Sequence, residues 1–372
     1  MVNHVKEYII YLNENHQFKI KKERNYLTMK KKILSIVLAT LLLLVLASCK
    51  TSSAPQQPPT DTNNDAKEDT LPQISHMEYV CGSATGSFLA IGAAISDKVN
   101  EYYDGFPITA IPGPGSIGNI PIVASGDGDF SMSDTPFLLA AVKGETPYES
   151  SMPNLRAVAR LQPEVVHFIG NVSGATSVDQ MIEDKIKTKL GFYPPGNAST
   201  HVLSLLFKTK GYDDIEEISS YGATVYWGDA NTLNDAWKDR QIDGYFTVQS
   251  VPGSSVTDAL SARNGKLLGI EGDSAKIMVE TMGFDYYTIK ADTYPGQDED
   301  VDTISMPVIL FTRDDMDEDI VYNFCKAIYN NKEYFLNAHS SFAQFEPDKM
   351  HTGCGIELHP GAVKFYKEIG AM

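Results

Sequence analysis

From His76 to the C terminus, short β-favouring runs alternate with amphipathic helical ones, and this alternation constrains the fold more than any other feature of the chain. The pattern predicts strands at 77–81, 108–111 and 130–133, followed by helices at 85–103, 116–124 and 136–142, and then a long β-rich stretch over 155–172. A second set follows, with strands at 190–193, 217–221, 244–248 and 267–271 interleaved with helices at 199–210, 232–240 and 254–263. Strands at 286–290 and 305–312 and a long amphipathic helix over 317–337 complete the pattern. Strand–helix alternation builds parallel sheets with helices on both faces. Two such sets imply two α/β lobes, and ligands of open α/β sheets bind beyond the carboxyl ends of the strands, here in the cleft between lobes.

The N-terminal segment is of another kind. Its apolar run, 33–47, follows Met29, Lys30, Lys31 and Lys32 and closes on Leu46, Ala47, Ser48 and Cys49. That run is shorter than the roughly 20 residues a membrane span needs. A basic start, an apolar middle and small closing residues fit a cleaved export signal. Leu-Ala-Ser-Cys resembles the bacterial lipobox, in which Cys49 is lipidated, becomes the first mature residue and anchors the protein to the membrane. The alternative is an ordinary signal peptide with a chance cysteine. Residues 1–28 fit no targeting pattern, which makes Met29 the expected start. The expected organisation is a leader and lipoprotein signal over 1–48 and a lipidated, disordered tether over 49–75, rich in Ser, Thr, Pro, Gln, Asn and Asp.

The chain carries a formal charge of −17. Residues 1–48 hold eight Lys/Arg against three Asp/Glu, so the acidity lies in the exported part. An acidic body argues against nucleic-acid binding and against a polybasic membrane-surface protein, both of which need clustered positive charge. The four cysteines, Cys49, Cys81, Cys325 and Cys354, are too few and scattered for a disulfide scaffold or a paired zinc site. Whether Cys325 and Cys354 pair stays open, since an exported protein permits disulfides.

The loops at the expected strand ends share one style, small, hydroxylic and glycine-rich. They are Gly82 to Ser87, Gly113 to Ser116, Ser131 to Pro136 and Pro194 to Thr200. Each offers N–H groups at a helix N-terminus together with hydroxyls, a way to hold a carboxylate without arginine. Singly, each is equally a set of preferred N-caps. By position, the candidate ligand-binding residues are Ser83, Thr85 and Ser87, then Ser116, Ser133 and Asp134, then Asn197, Ser199 and Thr200, with Tyr221, Gln249 and Tyr294 as further side-chain contacts. Arg160 and Glu164 read either as hinge or pocket groups or as a structural ion pair.

Other motifs carry less. Gly113-Pro114-Gly115-Ser116-Ile117-Gly118 matches the dinucleotide fingerprint, but Pro121 interrupts the following helix and the first strand–helix unit lies earlier. GxxxxGK[ST] and HExxH do not occur, and the GxSxG nucleophile elbow is missed by one residue. Cys81, His201 and Asp134 can be drawn as a cysteine-nucleophile triad, although a thiol is also a small hydrophobe. His351, Cys354 and His359 lack the tight pairs of a zinc site, and the acidic runs 298–300 and 314–319 lack the glycine and glutamate of a calcium loop. No metal or cofactor is implied.

Several stretches together resemble a known family. They are Thr85-Gly86-Ser87-Phe88; Ala124-Ser125-Gly126 followed by Asp129-Phe130; Leu155-Arg156-Ala157-Val158; Pro163-Glu164-Val165-Val166-His167; Pro194-Pro195-Gly196; Tyr294 through Val301; and Leu358-His359-Pro360-Gly361-Ala362. From about Glu78 to Met372 the chain resembles the TAXI family of solute-binding proteins that serve TRAP transporters. The resemblance implies a non-enzymatic protein of the two-lobed, type II periplasmic-binding-protein fold that closes on a small organic acid or amino acid. Known members take glutamate, glutamine or 2-oxoglutarate. It also implies delivery to the membrane subunits of a TRAP permease driven by an ion gradient. A monomer is expected, with lobe 1 over 76–162 plus 285–372, lobe 2 over 163–284, and crossings near 161–168 and 282–287. Cys81, Ala84, Phe88 and Gln162 depart from the family's usual pattern in the expected pocket, so the ligand can differ. Competing readings are the same fold serving an ABC importer, an exported cysteine-dependent enzyme, and a ligand-sensing partner of a membrane kinase.

Overall fold

The computed structural model describes residues 76–84, 87–102 and 107–372; Cys49, the leader, the export signal, the tether and Thr85 fall outside the described residues. The first run of elements is β1 (Met77–Val80), α1 (Ser87–Tyr102), β2 (Ile108–Ile111), α2 (Ser116–Ser125), β3 (Phe130–Asp134), α3 (Thr135–Lys143) and β4 (Leu155–Gly170). The second is α4 (Val178–Glu183), β5 (Lys189–Phe192), α5 (Ala198–Thr209), β6 (Thr224–Trp227), α6 (Ala230–Lys238), β7 (Gly244–Gln249), α7 (Ser254–Ala262), β8 (Lys266–Leu268), α8 (Gly272–Met282) and β9 (Asp285–Ile289). Then come β10 (Val301–Arg313), α9 (Glu318–Asn330), α10 (Lys332–Ala338) and α11 (Pro360–Glu368).

The strands of the described residues form one open sheet, in the order β2-β1-β3-β10-β4-β7-β5-β6, with β8 on β4 and β9 on β10. Strands followed by helices pair in parallel, β1 with β2 and β3, and β5 with β6 and β7. The middle is antiparallel, because β4 and β10 run against each other and against β3 and β7. Instead of two separate parallel sheets there is one mixed sheet whose halves are joined by two long strands.

The ladder of β4 and β10 extends from Leu155↔Arg313 to Val165↔Ser305. At its Val165↔Ser305 end the strands part, residues 165–170 of β4 pairing with β7 and residues 301–305 of β10 with β9. At the crossing Pro163 lies opposite Pro307, and the register shifts between Pro307 and Ile309. Neither proline has an N–H for the ladder, so backbone hydrogen bonding is thinnest where the halves meet. The second long crossing thus falls at 305–307, where the sequence pattern placed it at 282–287. The difference arises because 285–289 is β9, which folds back on β10 before the chain recrosses.

Three apolar clusters hold this frame. Ile91, Ile95, Phe130, Phe324 and Phe365 pack under α1, α9 and α11 in the first half. Leu233, Trp237, Tyr245 and Val256 pack beneath α6 and α7 in the second. A third cluster runs from Val123 and Phe137 through Phe168 to Phe192 and Phe207, so both halves share it.

Local chemistry explains where elements depart from expectation. The strand expected at 217–221 is a 3-10 helix over Ile215–Tyr221, because Asp214 and Glu217 form a reciprocal capping box at its start. The strand follows at Thr224–Trp227. The helix expected over 317–337 breaks at Asn331. Pro121 sits inside α2 without ending it. A proline there frees the carbonyl four residues earlier, and the Tyr148 hydroxyl donates to that carbonyl, on Ile117, at 3.1 Å.

Candidate functional site

The strand-end loops of the first half are tied to one another. Gly113 N–H donates to the Gly82 carbonyl at 2.9 Å. The Asn119 amide donates to the Cys81 carbonyl at 2.8 Å and accepts from Gly115 N–H at 3.1 Å. A Cβ on Gly113 would stand 2.6 Å from the Cys81 carbonyl oxygen, and Gly115 has φ 92°, so the glycines of this loop serve close approach and a left-handed turn. The fingerprint Gly113 to Gly118 is accounted for by this packing. The Ser133 hydroxyl donates to the Ser116 carbonyl at 2.7 Å, fixing the start of α2 to β3.

Asp134 ends β3 and stands at the N-cap of α3, yet its side chain makes no capping bond. It is 0% exposed and neither carboxylate oxygen has a hydrogen-bond partner. Burial pushes this carboxyl up to about 7; the nearby Ser116 side chain offsets part of that shift without reaching a well-formed hydrogen bond. Register brings the crossing strands close, since Asp134 pairs with Val308 on β10 and the adjoining Pro307 and Met306 pair with Pro163 and Glu164 on β4. Gln162 is also 0% exposed with both amide atoms unpaired. Burial, then the Asp134 charge, raises Glu164 well above the ordinary carboxylate range. Arg160 does not neutralise this acid, because its guanidinium bonds Asp285 at 2.8 Å. Asp134, Gln162 and Glu164 therefore form a polar floor at the crossing of the strands that join the halves.

In the second half the loop after β5 opens α5. Asn197 accepts from Ser199 N–H at 2.9 Å, and the Thr200 hydroxyl donates to the Tyr193 carbonyl at 2.7 Å, so both side chains serve the turn. A pocket of about 450 Å³ lies between Ile117 and Pro147 of the first half and Gly196, Thr200, His201 and Trp227 of the second. The halves touch beside it, where the Phe137 and His201 rings lie 5.5 Å apart.

The structure thus groups Ser116, Ser133 and Asp134 on one side of the cleft, and Asn197, Ser199 and Thr200 at the α5 N-terminus on the other. Ser83 is exposed and Ser87 begins α1. Gln249, at the end of β7, donates to the Ser255 and Thr247 hydroxyls. Tyr294 is buried; its hydroxyl bonds His167 Nε2 and accepts from Gly253 N–H, both at 2.9 Å. Tyr221 lies with Tyr212, which packs on Phe207 near the C-terminal end of α5, and so is remote from the α5 N-terminus. Gln162, expected from the sequence only as a departure within the pocket and not as a ligand contact, joins the candidate residues here. The available signal was a Gln-Pro-Glu interruption inside the apolar stretch of β4.

The cysteines among the described residues are accounted for by packing. Cys81 is 0% exposed, packs against Gly92, and burial pushes its thiol up to about 12, which removes the thiolate a nucleophile needs. Cys325 and Cys354 are free and buried. Among the described residues no group of three or more His, Cys, Asp or Glu is arranged to hold a metal. His359 Nδ1 accepts from Gly361 N–H to cap α11, Asp317 caps α9, and Asp300 accepts from Ala291 N–H. No helix among the described residues is long and apolar enough to cross a membrane.

The fold is mixed α/β, with one open central sheet whose two halves are joined by β4 and β10. Similar solved structures include a TctC solute-binding protein from Polaromonas, 12% identical, covering 80% of this chain and 98% of that one, with TM-score 0.49. MatC from Rhodopseudomonas palustris, solved with bound malate, is 14% identical over 79% of this chain and 96% of that one, with TM-score 0.46. The periplasmic aliphatic sulphonate binding protein SsuA from Escherichia coli is 10% identical over 79% and 83%, with TM-score 0.42. Matching over residues 80–370, the chain belongs to the NMT1-like family.

Proposed function

We propose that this protein is an extracytoplasmic solute-binding lipoprotein of the TAXI type, which captures a small organic acid or amino acid and delivers it to a TRAP permease. One observation carries the binding role. At the crossing of β4 and β10, Asp134 and Gln162 are fully buried with no hydrogen-bond partner. Buried polar groups left unpaired cost about 1–3 kcal/mol each, so a fold retains them where something else pairs with them. Around this floor the N-termini of α2 and α5 offer N–H groups suited to a carboxylate. The lobes rotate about the proline-paired crossing, and a ligand that bridges both selects the closed state. Capture works against the acidity of the exported part, which is more negative than the full chain's −17, so it relies on local dipoles in a desolvated cleft and not on the global field. Lipidation of Cys49 holds the protein at the membrane, and Cys49→Ser should release it into the soluble fraction.

A thermal-shift screen of amino acids, 2-oxo acids and dicarboxylates tests the binding role. A ligand at a hundredfold excess over its Kd should add about 2.7 kcal/mol to stability. A melt unmoved by all of these but raised by a sulfonate or a phosphonate would instead favour the same fold serving an ABC importer.

A further inference from the structure

We propose that Asp134, with Glu164 beside it, receives a protonated amine of the ligand, so that the cleft takes an amino acid in preference to the 2-oxo or unsubstituted acid of the same skeleton. The inference deepens the reading of the cleft as an organic-acid site and rests on it. An aspartate at an N-cap ordinarily accepts from its own helix. Asp134 does not, although Phe137 N–H stands at the third position of α3, and it keeps both oxygens unpaired at 0% exposure. Such a carboxylate is built for a donor that comes from outside the chain. A ligand carboxylate alone does not supply one.

Groups on several elements bear on Asp134, besides its own backbone, which lowers it. Ser116 of α2 lowers it in part, Tyr148 after α3 feels its charge, and Glu164 of β4 is raised by it. The Arg160 guanidinium, four residues before Glu164 on β4, is held by Asp285. Two close carboxyls without a cation share a proton. With Asp134 titrating at about 7, that proton is readily exchanged at neutral pH. The exchange balances as follows: the carboxylic acid gives its proton to solvent, and the carboxylate left behind accepts N–H hydrogen bonds from the ligand's ammonium. Gln162, unpaired at the same crossing, has an amide oxygen for a second N–H and an amide N–H for the ligand's carboxylate.

Calorimetric titration with matched sets of acids of three to six carbons tests this, with alanine, pyruvate and propionate as one set and glutamate, 2-oxoglutarate and glutarate as another. In the set that binds, the amino acid should bind about 100-fold more tightly than its analogues. Its binding should release a proton at pH 7, read from the dependence of the heat on buffer ionisation, and should tighten from pH 6 to pH 8. Asp134→Asn should cut the preference to below about tenfold and abolish the proton release. Glu164→Gln, a second variant should the first fail to fold, should weaken the pH dependence. Equal or tighter binding of the 2-oxo or unsubstituted acid, or an unchanged preference in a folded variant, overturns the inference and leaves the organic-acid reading standing. Absence of binding across every set overturns both.

Discussion

Glu164 and His167 lie three residues apart on β4, and the polar groups around them have opposite fates. On the His167 side each group is paired: Nδ1 with the Val165 carbonyl and Nε2 with the Tyr294 hydroxyl, both at 2.9 Å, while that hydroxyl also accepts from Gly253 N–H. Burial lowers His167 to about 4, so it stays neutral and acts as a strut. On the Glu164 side, Asp134 and Gln162 are as deeply buried and have no partner. The two clusters set a satisfied network against an unsatisfied one. A satisfied buried network rigidifies the second half, whereas an unsatisfied one is a standing cost, which the proposed ligand would relieve.

Breaking each cluster should therefore give opposite results, the largest at Asp134. Asp134→Asn in the ligand-free protein should raise stability at pH 7 by on the order of 2 kcal/mol, since it removes a carboxyl whose folded value of about 7 exceeds the ordinary 3.8. The sign in pH follows from the same shift. Between about 4 and about 7 the folded protein holds the proton that the unfolded chain has lost, so wild-type stability should fall as pH rises through this window, and the variant should flatten that slope. Urea unfolding at several pH values measures both. Tyr294→Phe should act in the other direction, costing roughly 1–2 kcal/mol by stranding His167 Nε2 and Gly253 N–H, while leaving ligand preference unchanged. Tyr148→Phe should cost about 1 kcal/mol, because the Ile117 carbonyl freed by Pro121 loses its donor.

The same contrast shows what the sequence carries. Strand–helix alternation, set by local periodicity, placed most elements of the two halves, but not the helices α4, α8 and α11 or the position of β6. It did not place the junction, because the pairing of β4 with β10 joins residues about 140 apart and leaves no local trace; only the polar residues bracketing Pro163 hinted at it. Within the candidate site, Asp134 was legible as a strand-end acid, but that it would forgo its own helix was not. Asn197 and Thr200 were read from the same hydroxylic style, and their side chains serve the turn instead. Capping and ligand binding use the same residue types, so composition alone does not separate them. Tyr221 was taken for a strand end because the capping box at Asp214 and Glu217 lies in an acidic stretch that reads as surface.

In the proposed function a small organic acid draws the two halves together about the Pro163–Pro307 crossing. Spin labels at exposed Glu149 in the first half and Lys208 in the second, read by pulsed dipolar spectroscopy, test it most directly. Saturating ligand should shorten and narrow the distance distribution, and Asp134→Asn should need far more ligand to reach the same state. A distribution unchanged by a ligand that calorimetry shows to be bound would rule out closure about this crossing.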